Sequence, residues 1–488
     1  MQLTKEQAYI DANIRPNKMD VIAIEAFAGC GKTFILQHVA KKFPHLRMLY
    51  LAYNKSIIQE AGGKFPRNVD CKTTHSLAYG RFGAPFRHKL NKQARKITFK
   101  SFLAEAKHPL EGVFEKSTSN TQWAVTNLVL DTFESYLYSA DKDIMPHHVD
   151  TARKASVPVE LSFQEVVASA KVLWKAMTDV KHPLPMMHDC YLKMYQLSEP
   201  DLSQYDIILF DEAQDANPST QDIVDRQATC KIYVGDPHQQ IYAFRGGDNA
   251  FDNIQPTQTY KLTQSFRFGP TIAGVATKIL TGMKGVSTPV RGMDAIEDSL
   301  VPTQSNLHEG CTVLARTNAE LFDKACMWLD KISFGYQGGL KREQLQDIMD
   351  VYYIWAGEQE HIRNGFFKNY REFDHLIAYA RAAEDIAVGY LCGIVNKYKT
   401  KIPYNVEQVL QQNRPERSAH IILCTAHKSK GLEWDNVVLC GDFVKTLDPE
   451  SGHVKDDEIN LFYVACTRAQ KNLAMHKDLA DFYKTIEL

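Results

Sequence analysis

The tightest constraint on this chain lies near its start. An apolar run of strand length, Val21-Ile22-Ala23-Ile24-Glu25-Ala26, passes without a break into Ala28-Gly29-Cys30-Gly31-Lys32-Thr33 and then into a helical pattern from Phe34 to Lys42. Strand, glycine-rich turn and helix form the setting in which backbone amides and a helix N-terminus converge on a phosphate. Residues 26–33 match the Walker A pattern, with Ala26 in place of the leading glycine. The amides of Gly29 to Lys32 are expected to point at a β-phosphate, with Ala28 and Cys30 as parts of the same cradle. Lys32 is expected to reach the β- and γ-phosphates, and Thr33 to place its hydroxyl on Mg²⁺.

Such a loop needs a second carboxylate for the metal. Asp211-Glu212-Ala213-Gln214-Asp215 supplies one at the end of the strand-like run Tyr205–Phe210. Asp211 is expected to hold Mg²⁺ through water, and Glu212 to orient and deprotonate an attacking water. Acidic groups at strand ends also serve as helix N-caps, and Asp215, ahead of Asn217-Pro218, is a candidate for that plainer role.

Composition limits the rest. A chain of 488 residues suggests two to four domains. With 44% hydrophobic and 24% charged residues it is ordinary for a globular protein, which excludes a mostly disordered or collagen-like chain. Lys and Arg number 57 against 58 Asp and Glu, so any nucleic-acid surface must be a local basic groove. No apolar run reaches the roughly 18 residues needed to span a bilayer. The polar opening MQLTKEQAYIDANIRPNKMD is unlike a secretory signal. Ten scattered cysteines without a CxxC pair predict buried thiols in a reducing compartment rather than a zinc site.

Further strand-like runs occur at Met48–Tyr53, Lys231–Val234, Cys311–Ala315, Ile421–Cys424 and Val437–Cys440. Between about Arg81 and Pro200 the apolar residues fall at helical spacing, as in Val125, Leu128, Val129, Phe133 and Leu137, and a second helix-rich stretch follows between about 335 and 412. Strands alternating with helices predict an α/β fold with parallel sheets, and the two interruptions predict inserted helical domains.

Other segments carry a resemblance. DEAQD at 211–215 and Gly235-Asp236-Pro237-His238-Gln239-Gln240-Ile241-Tyr242-Ala243-Phe244-Arg245-Gly246 look like motifs II and III of superfamily 1 helicases of the UvrD/Rep type. In the family's order come Leu3-Thr4-Lys5-Glu6-Gln7 (Q motif), Asn54-Lys55 (motif Ia) and Thr73-Thr74-His75-Ser76-Leu77. Gln264-Ser265-Phe266-Arg267 (motif IV) and Ala315-Arg316-Thr317-Asn318 follow. Cys424 to Trp434 resembles motif V, and Phe462-Tyr463-Val464-Ala465-Cys466-Thr467-Arg468-Ala469 motif VI. In wording the chain is most similar to the helicase core of F-box DNA helicases, without the F-box.

That resemblance implies two RecA-like P-loop parallel-sheet cores with helical inserted accessory domains, and ATP with Mg²⁺ held in the cleft between the cores. The expected division is 1–82 and 201–263 for the first core, 83–200 for its helical insertion, 264–332 and 416–488 for the second core, and 333–415 for a reduced second insertion. Arg267 and Arg468 are implied as fingers on the γ-phosphate, Gln239 as its sensor, and Gln7 as the reader of the adenine edge. Phe266 falls where the family stacks a Tyr on the base. Phe34 stands where the family has an Arg on the base's other face, and Glu433 is implied in the same nucleotide set. Tyr242 and Phe244, with Phe in place of the family's Trp, are implied as stacking platforms for bases, with Arg245 beside them. Asn54, Lys55, Thr74, His75 and His427 are candidates for phosphate or sugar contacts, His75 equally for a hydrogen-bonded core residue. Ala52 fills the family's aromatic position in motif Ia, which leaves Tyr53 a weaker candidate.

The activity implied is ATP-driven translocation on single-stranded DNA, 3′ to 5′, with unwinding at single/double-strand junctions. The alternative is a DNA-stimulated ATPase switch within a repair or defence complex. Only residues 469–488 follow Arg468, so no appended nuclease domain is expected. A monomer in the cytoplasm of a bacterial or phage-infected cell, or in a nucleus if eukaryotic, completes the expectation.

Overall fold

The computed structural model describes residues 3–52, 58, 63–90, 96–105, 108–241, 249–301, 310–382, 385–448 and 454–487. The expected DNA contacts Asn54, Lys55, Tyr242, Phe244 and Arg245, and the weaker candidate Tyr53, lie outside the described residues. The chain divides into two units, Met1–Ala26 with Gly31–Leu262, and Phe27–Cys30 with Thr263–Leu488. Each is built on one six-stranded sheet.

In the first unit the strands are β1 (Val21–Ala26), β2 (Met48–Ala52), β3 (Val69–Thr73), β4 (Ile207–Asp211), β5 (Cys230–Gly235) and β6 (Gln258–Leu262). Their order is β3-β2-β4-β5-β1-β6, and every pairing is parallel. Parallel strands covered on both faces read as continuous apolar runs, and β2, β4 and β5 are buried along their whole length. Those are the runs visible in the sequence. The strands without such a signal, β3 and β6, are the two edges, where exposure lets Asp70, Lys72, Thr259 and Lys261 interrupt the pattern.

Among the described residues between β3 and β4 there are only helices, the longest being Ser119–Tyr138, Phe163–Thr178 and His188–Leu197. Thr118 caps the first, and Ser162 with Glu165 forms a capping box on the second. Their apolar stripes, Val125, Leu128, Val129 and Phe133 against Val166, Ala170 and Leu173, bury into one core that also contains Leu49, Leu51, Ile208 and Phe210 of the sheet. The helical insertion is therefore fused to a face of the sheet that carries the acidic strand end.

The second unit holds β7 (Ser299–Val301), β8 (Cys311–Ala315), β9 (Phe334–Tyr336), β10 (Ile421–Thr425), β11 (Trp434–Leu439) and β12 (Ala469–Met475), in the order β7-β12-β11-β8-β10-β9, again parallel. Here too the inner strands β8, β10 and β11 are the apolar runs of the sequence. The edges β7 and β9 have three residues each, and β12 opens on the polar Gln470-Lys471-Asn472. Helices at Gln346–Ala356, Phe373–Ala382, Ile386–Tyr398 and Ile402–Gln412 stand between β9 and β10. Ile348, Val351, Val395 and Val406 share their core with Val313 and Leu423 of the sheet. Among the described residues no helix is long and apolar enough to cross a membrane.

Candidate active site

The end of β1 and the start of helix α2 (Lys32–Lys42) are joined by a turn that glycine makes possible. Gly29 has φ +75° and Gly31 φ +79°, the left-handed region that side-chain-bearing residues rarely enter. Gly31 is the N-cap, so Lys32 and Thr33 occupy the first two positions of α2.

At the end of β4 the backbone also turns left-handed, at Glu212, with φ +51°. A glutamate there costs on the order of 1–3 kcal/mol, and such positions concentrate at functional sites. Its carboxylate meets the Lys32 ammonium, Oε2 to Nζ 2.8 Å. Asp211 is 2% exposed. Its Oδ2 accepts from Tyr50 Oη at 2.7 Å and from Thr33 Oγ1 at 3.3 Å, and its Oδ1 from the Glu212 amide at 2.9 Å. Burial, and then the neighbouring Glu212 charge, push the Asp211 carboxyl up to about 6, against the pull of Lys32 and Tyr50. Burial alone would lower Lys32; the charges of Glu212, Asp211 and Asp236 outweigh it and hold the ammonium above the usual lysine range. The site thus sets one cation among three carboxylates, two of them, Asp211 and Asp236, buried.

A polar relay leads away from Glu212. Gln214 Nε2 donates to Glu212 Oε2 at 2.6 Å, while its Oε1 accepts from the Asp236 amide at 3.2 Å. Gln239 Nε2 donates to Asp236 Oδ2 at 2.7 Å. Lys32, Thr33, Asp211, Glu212 and Gln239, separated by up to 207 positions in sequence, are thereby linked through side chains and the amides of Glu212 and Asp236 within one unit. Tyr50, Gln214 and Asp236 belong to this arrangement and were not singled out from the sequence. Tyr50 had no signal, being one apolar position of a buried strand; Gln214 and Asp236 stood inside the quoted motifs without a role.

The other expected residues have identifiable partners. Gln7 is buried, and its Oε1 accepts from the Thr4 amide at 3.2 Å in a capping box on helix α1 (Lys5–Asn13). The Phe34 ring stacks on His38 at 6.4 Å. Thr74 is buried at the start of the short helix Thr74–Ala78. His75 lies 3.1 Å from Tyr191 Oη and 3.6 Å from Asp189; burial pushes it down, with Asp189 opposing and His188 reinforcing.

In the second unit Arg267 Nε donates to Glu433 Oε2 at 2.7 Å and its Nη1 to the Thr467 carbonyl at 3.1 Å. Gln470 donates to the other oxygen of Glu433 at 2.9 Å. Arg468, 1% exposed, donates from Nε to Val464 O at 2.9 Å and from Nη1 to Leu432 O at 3.1 Å. The structure therefore gathers Arg267, Glu433 and Arg468 around residues 464–468, while Phe266 is 41% exposed. His427 is pushed down by burial and by Arg316, with Glu458 opposing. Arg316 forms a two-pronged pair with Glu458, at 2.9 and 2.5 Å. Asp442 accepts from the Arg316 amide and from the Thr317 amide and hydroxyl.

Thr33 Oγ1 and Asp211 Oδ2 are hard oxygen donors, the chemistry that suits Mg²⁺. A second group, Asp141 with His147 and His148, brings three ligand-type atoms within 4.8 Å of one another. His148 Nδ1 lies 2.9 Å from the Met145 amide nitrogen and 3.1 Å from its carbonyl oxygen, Nε2 lies 3.1 Å from both Ser139 Oγ and Asp141 Oδ2, and His147 Nε2 lies 2.6 Å from Asp141 Oδ2. Hydrogen bonding accounts for that group without an ion.

A parallel sheet with a phosphate loop after β1 and an acidic pair after β4 places the molecule in the P-loop nucleotide-binding class. Within that class, the UvrD/REP helicase N-terminal domain matches residues 68–258 and the UvrD-like helicase C-terminal domain residues 391–478. F-box DNA helicase 1 of Gallus gallus is 35% identical over 515 residues, covering 98% of this chain and 49% of that protein. F-box DNA helicase protein 1 of Schizosaccharomyces pombe is 32% identical over 514 residues, covering 99% of this chain and 58% of its own length. The chain spans about half the length of the curated relatives it matches. It belongs to the UvrD-like helicase family.

Proposed function

We propose that the chain is an ATP-dependent DNA helicase that moves 3′ to 5′ along single-stranded DNA and opens duplex at junctions. The observation that carries the reading is the Lys32–Glu212–Asp211 grouping, a phosphate-seeking ammonium beside a left-handed, strained glutamate and a buried aspartate. In this reading the amides of residues 29–32 and the Lys32 ammonium hold the β- and γ-phosphates. Thr33 and Asp211 would hold Mg²⁺, which when bound neutralises charge on the phosphate oxygens. Glu212 takes the proton of the attacking water, and Lys32 beside it stabilises the charge that develops. Arg267 and Arg468 are the proposed γ-phosphate fingers, with Glu433, Gln7, Phe34 and Phe266 as nucleotide contacts.

Gln239 is the proposed γ-phosphate sensor. It stands three residues before Tyr242, one of the proposed base-stacking residues with Phe244. A shift at Gln239 is thus passed to the DNA contacts, which also comprise Asn54, Lys55, Thr74, His75, Arg245 and His427. The proposed domains are a first core of 1–82 and 201–263 with an insertion at 83–200, and a second core of 264–332 and 416–488 with a reduced insertion at 333–415. A monomer acting on nuclear DNA is the proposed setting: the two relatives named above are eukaryotic, and neither supports a bacterial or phage origin.

The test is ATP turnover with and without single-stranded DNA, followed by strand displacement on duplexes with a 3′ or a 5′ tail. Turnover stimulated by DNA, with displacement from the 3′-tailed duplex, is expected. Stimulation without displacement would favour the ATPase switch, displacement from the 5′ tail would reverse the polarity, and turnover indifferent to DNA would end the motor reading.

A further inference from the structure

We propose that Tyr50 is a positioning residue for the metal-holding carboxylate: its hydroxyl, donated to Asp211 Oδ2, fixes the orientation in which Asp211 meets a divalent cation. The inference rests on the reading of Thr33 and Asp211 as the Mg²⁺ holders.

The geometry follows from strand register. In the β2–β4 ladder Tyr50 pairs with Leu209, and Asp211 lies two residues further along β4, on the same face of the sheet. Two residues of extended chain span about 6.6 Å, roughly the reach of a tyrosine from Cα to hydroxyl. A tyrosine two positions back on the neighbouring strand can therefore touch the aspartate, whereas the branched aliphatics usual in a buried parallel strand stop short. The reach is realised, with Oη 2.7 Å from Oδ2. The phenol is locked: Tyr50 is fully buried, and its ring lies 4.6 Å from that of Phe65.

The hydrogen bonds divide the carboxylate. Oδ1 is taken by the Glu212 amide, which ties it to the backbone. Oδ2 is shared by Tyr50 and the Thr33 hydroxyl. An oxygen of an ionised carboxylate has two lone-pair directions. Tyr50 occupies one and leaves the other facing Thr33, the second proposed metal ligand. Without the phenol, the only other hydrogen bond described on Oδ2 is the long one from the Thr33 hydroxyl, the group proposed to turn to the metal, so the carboxylate would be less firmly oriented about its Cα–Cβ and Cβ–Cγ bonds. Partners of ligating carboxylates typically carry about 10–100-fold in metal affinity or activity when removed. The hydrogen-bond partners of Tyr50 here are Asp211 and Thr33, the two proposed metal holders, so its effect should fall on the metal.

The test compares the full chain with Tyr50→Phe, which keeps the ring and removes only the hydroxyl. Mn²⁺, visible by electron paramagnetic resonance, is titrated into each protein saturated with a non-hydrolysable ATP analogue, and the Mg²⁺ dependence of turnover is recorded in parallel. The expected result is about tenfold weaker Mn²⁺ binding and a matching rise in the Mg²⁺ needed for half-maximal turnover, with near-normal turnover at saturating Mg²⁺. In an Asp211→Asn background, Tyr50→Phe should add nothing further to the loss of Mn²⁺ binding. Incorporation of 3,5-difluorotyrosine at position 50, which retains a hydroxyl, should restore tight Mn²⁺ binding and provides the comparison if the phenylalanine variant fails to fold. Unchanged Mn²⁺ affinity in a folded Tyr50→Phe chain, a loss that persists in the Asp211→Asn background, or failure of difluorotyrosine to restore binding would each overturn the proposal. If the wild-type chain with bound analogue takes up no Mn²⁺ at all, the nucleotide-site reading falls first.

Discussion

Gly235 ends β5 at the point where the relay from Glu212 passes overhead, and its replacement by alanine tests that relay. A Cβ there would overlap Gln214 Oε1, stand 2.9 Å from Phe251 Cε2 and stand 3.2 Å from the Ala213 amide nitrogen. The last two give little, so Gln214 must move. Moving it breaks the 2.6 Å bond to Glu212 and the 3.2 Å bond from the Asp236 amide. Crowding a packed site costs about 1–3 kcal/mol, and the hydrogen bond to a charged group is worth about 1.5–3 kcal/mol. Together these should cost the first unit about 2.5–6 kcal/mol, which lowers its unfolding midpoint by on the order of 5–20 °C for a domain of its size. If the bond orients Glu212 for proton transfer, its own contribution of about 1.5–3 kcal/mol corresponds to a roughly 10–150-fold fall in turnover. The assay is a melt by circular dichroism together with DNA-stimulated ATP turnover for Gly235→Ala, Gln214→Ala and the double variant. Because Gln214→Ala removes both the bonds and most of the clash, the double variant should turn over no worse than Gln214→Ala alone. Strictly additive losses in turnover, or a Gly235→Ala chain that works at the wild-type rate, would refute the relay.

Three further outcomes concern Glu212 and Asp211 in the first unit and Arg468 in the second. Glu212→Gln should lower turnover by about 10²–10⁴-fold while nucleotide binding and the melting midpoint stay close to wild type, because Asp211 and Asp236 remain to balance Lys32; retained turnover would mean that another group takes the proton. Asp211, raised from 3.8 to about 6, binds a proton more readily in the folded chain than in the unfolded one. As pH falls from about 6 toward 4, its protonation therefore favours the fold while removing the carboxylate that holds metal. Mg²⁺-dependent nucleotide binding should weaken across that window, and affinity flat from pH 7 to 5 would contradict it. Arg468→Lys keeps the charge but not the fork that serves both Val464 O and Leu432 O. A fall of about 10³-fold in turnover with ADP binding retained is expected for a γ-phosphate finger, and turnover within tenfold of wild type would leave Arg468 a structural residue.

What the sequence made legible is local. The strand, loop and helix around Lys32 and the acidic end of β4 are each contiguous runs, so their chemistry shows in a dozen residues. Inner strands such as β2, β4, β8 and β10 announced themselves by near-continuous apolarity, whereas β3 and β6 hid behind the charged residues that an edge tolerates and the inner β12 behind its polar start. What stayed invisible depends on register. Tyr50 and Asp211 are 161 positions apart, and nothing in the run Met48–Ala52 distinguishes a phenol aimed at a carboxylate from one more buried aromatic. Gln7 carries two assignments: the motif match implies a base contact, and its amide oxygen accepts from the Thr4 amide in a helix cap. His75, matched as a candidate DNA contact, lies against Tyr191 and Asp189.

The single core shared by Phe133, Leu173, Ile208 and Phe210 has a practical bearing on anyone wishing to shorten this protein. Excising residues 83–200 would strip an oily layer from the back of the strand that ends in Asp211. Water would wet Ile208 and Phe210, and the product of such surgery would be a precipitate rather than a minimal engine. Tolerance to trimming should instead be sought in loops that leave this layer in place.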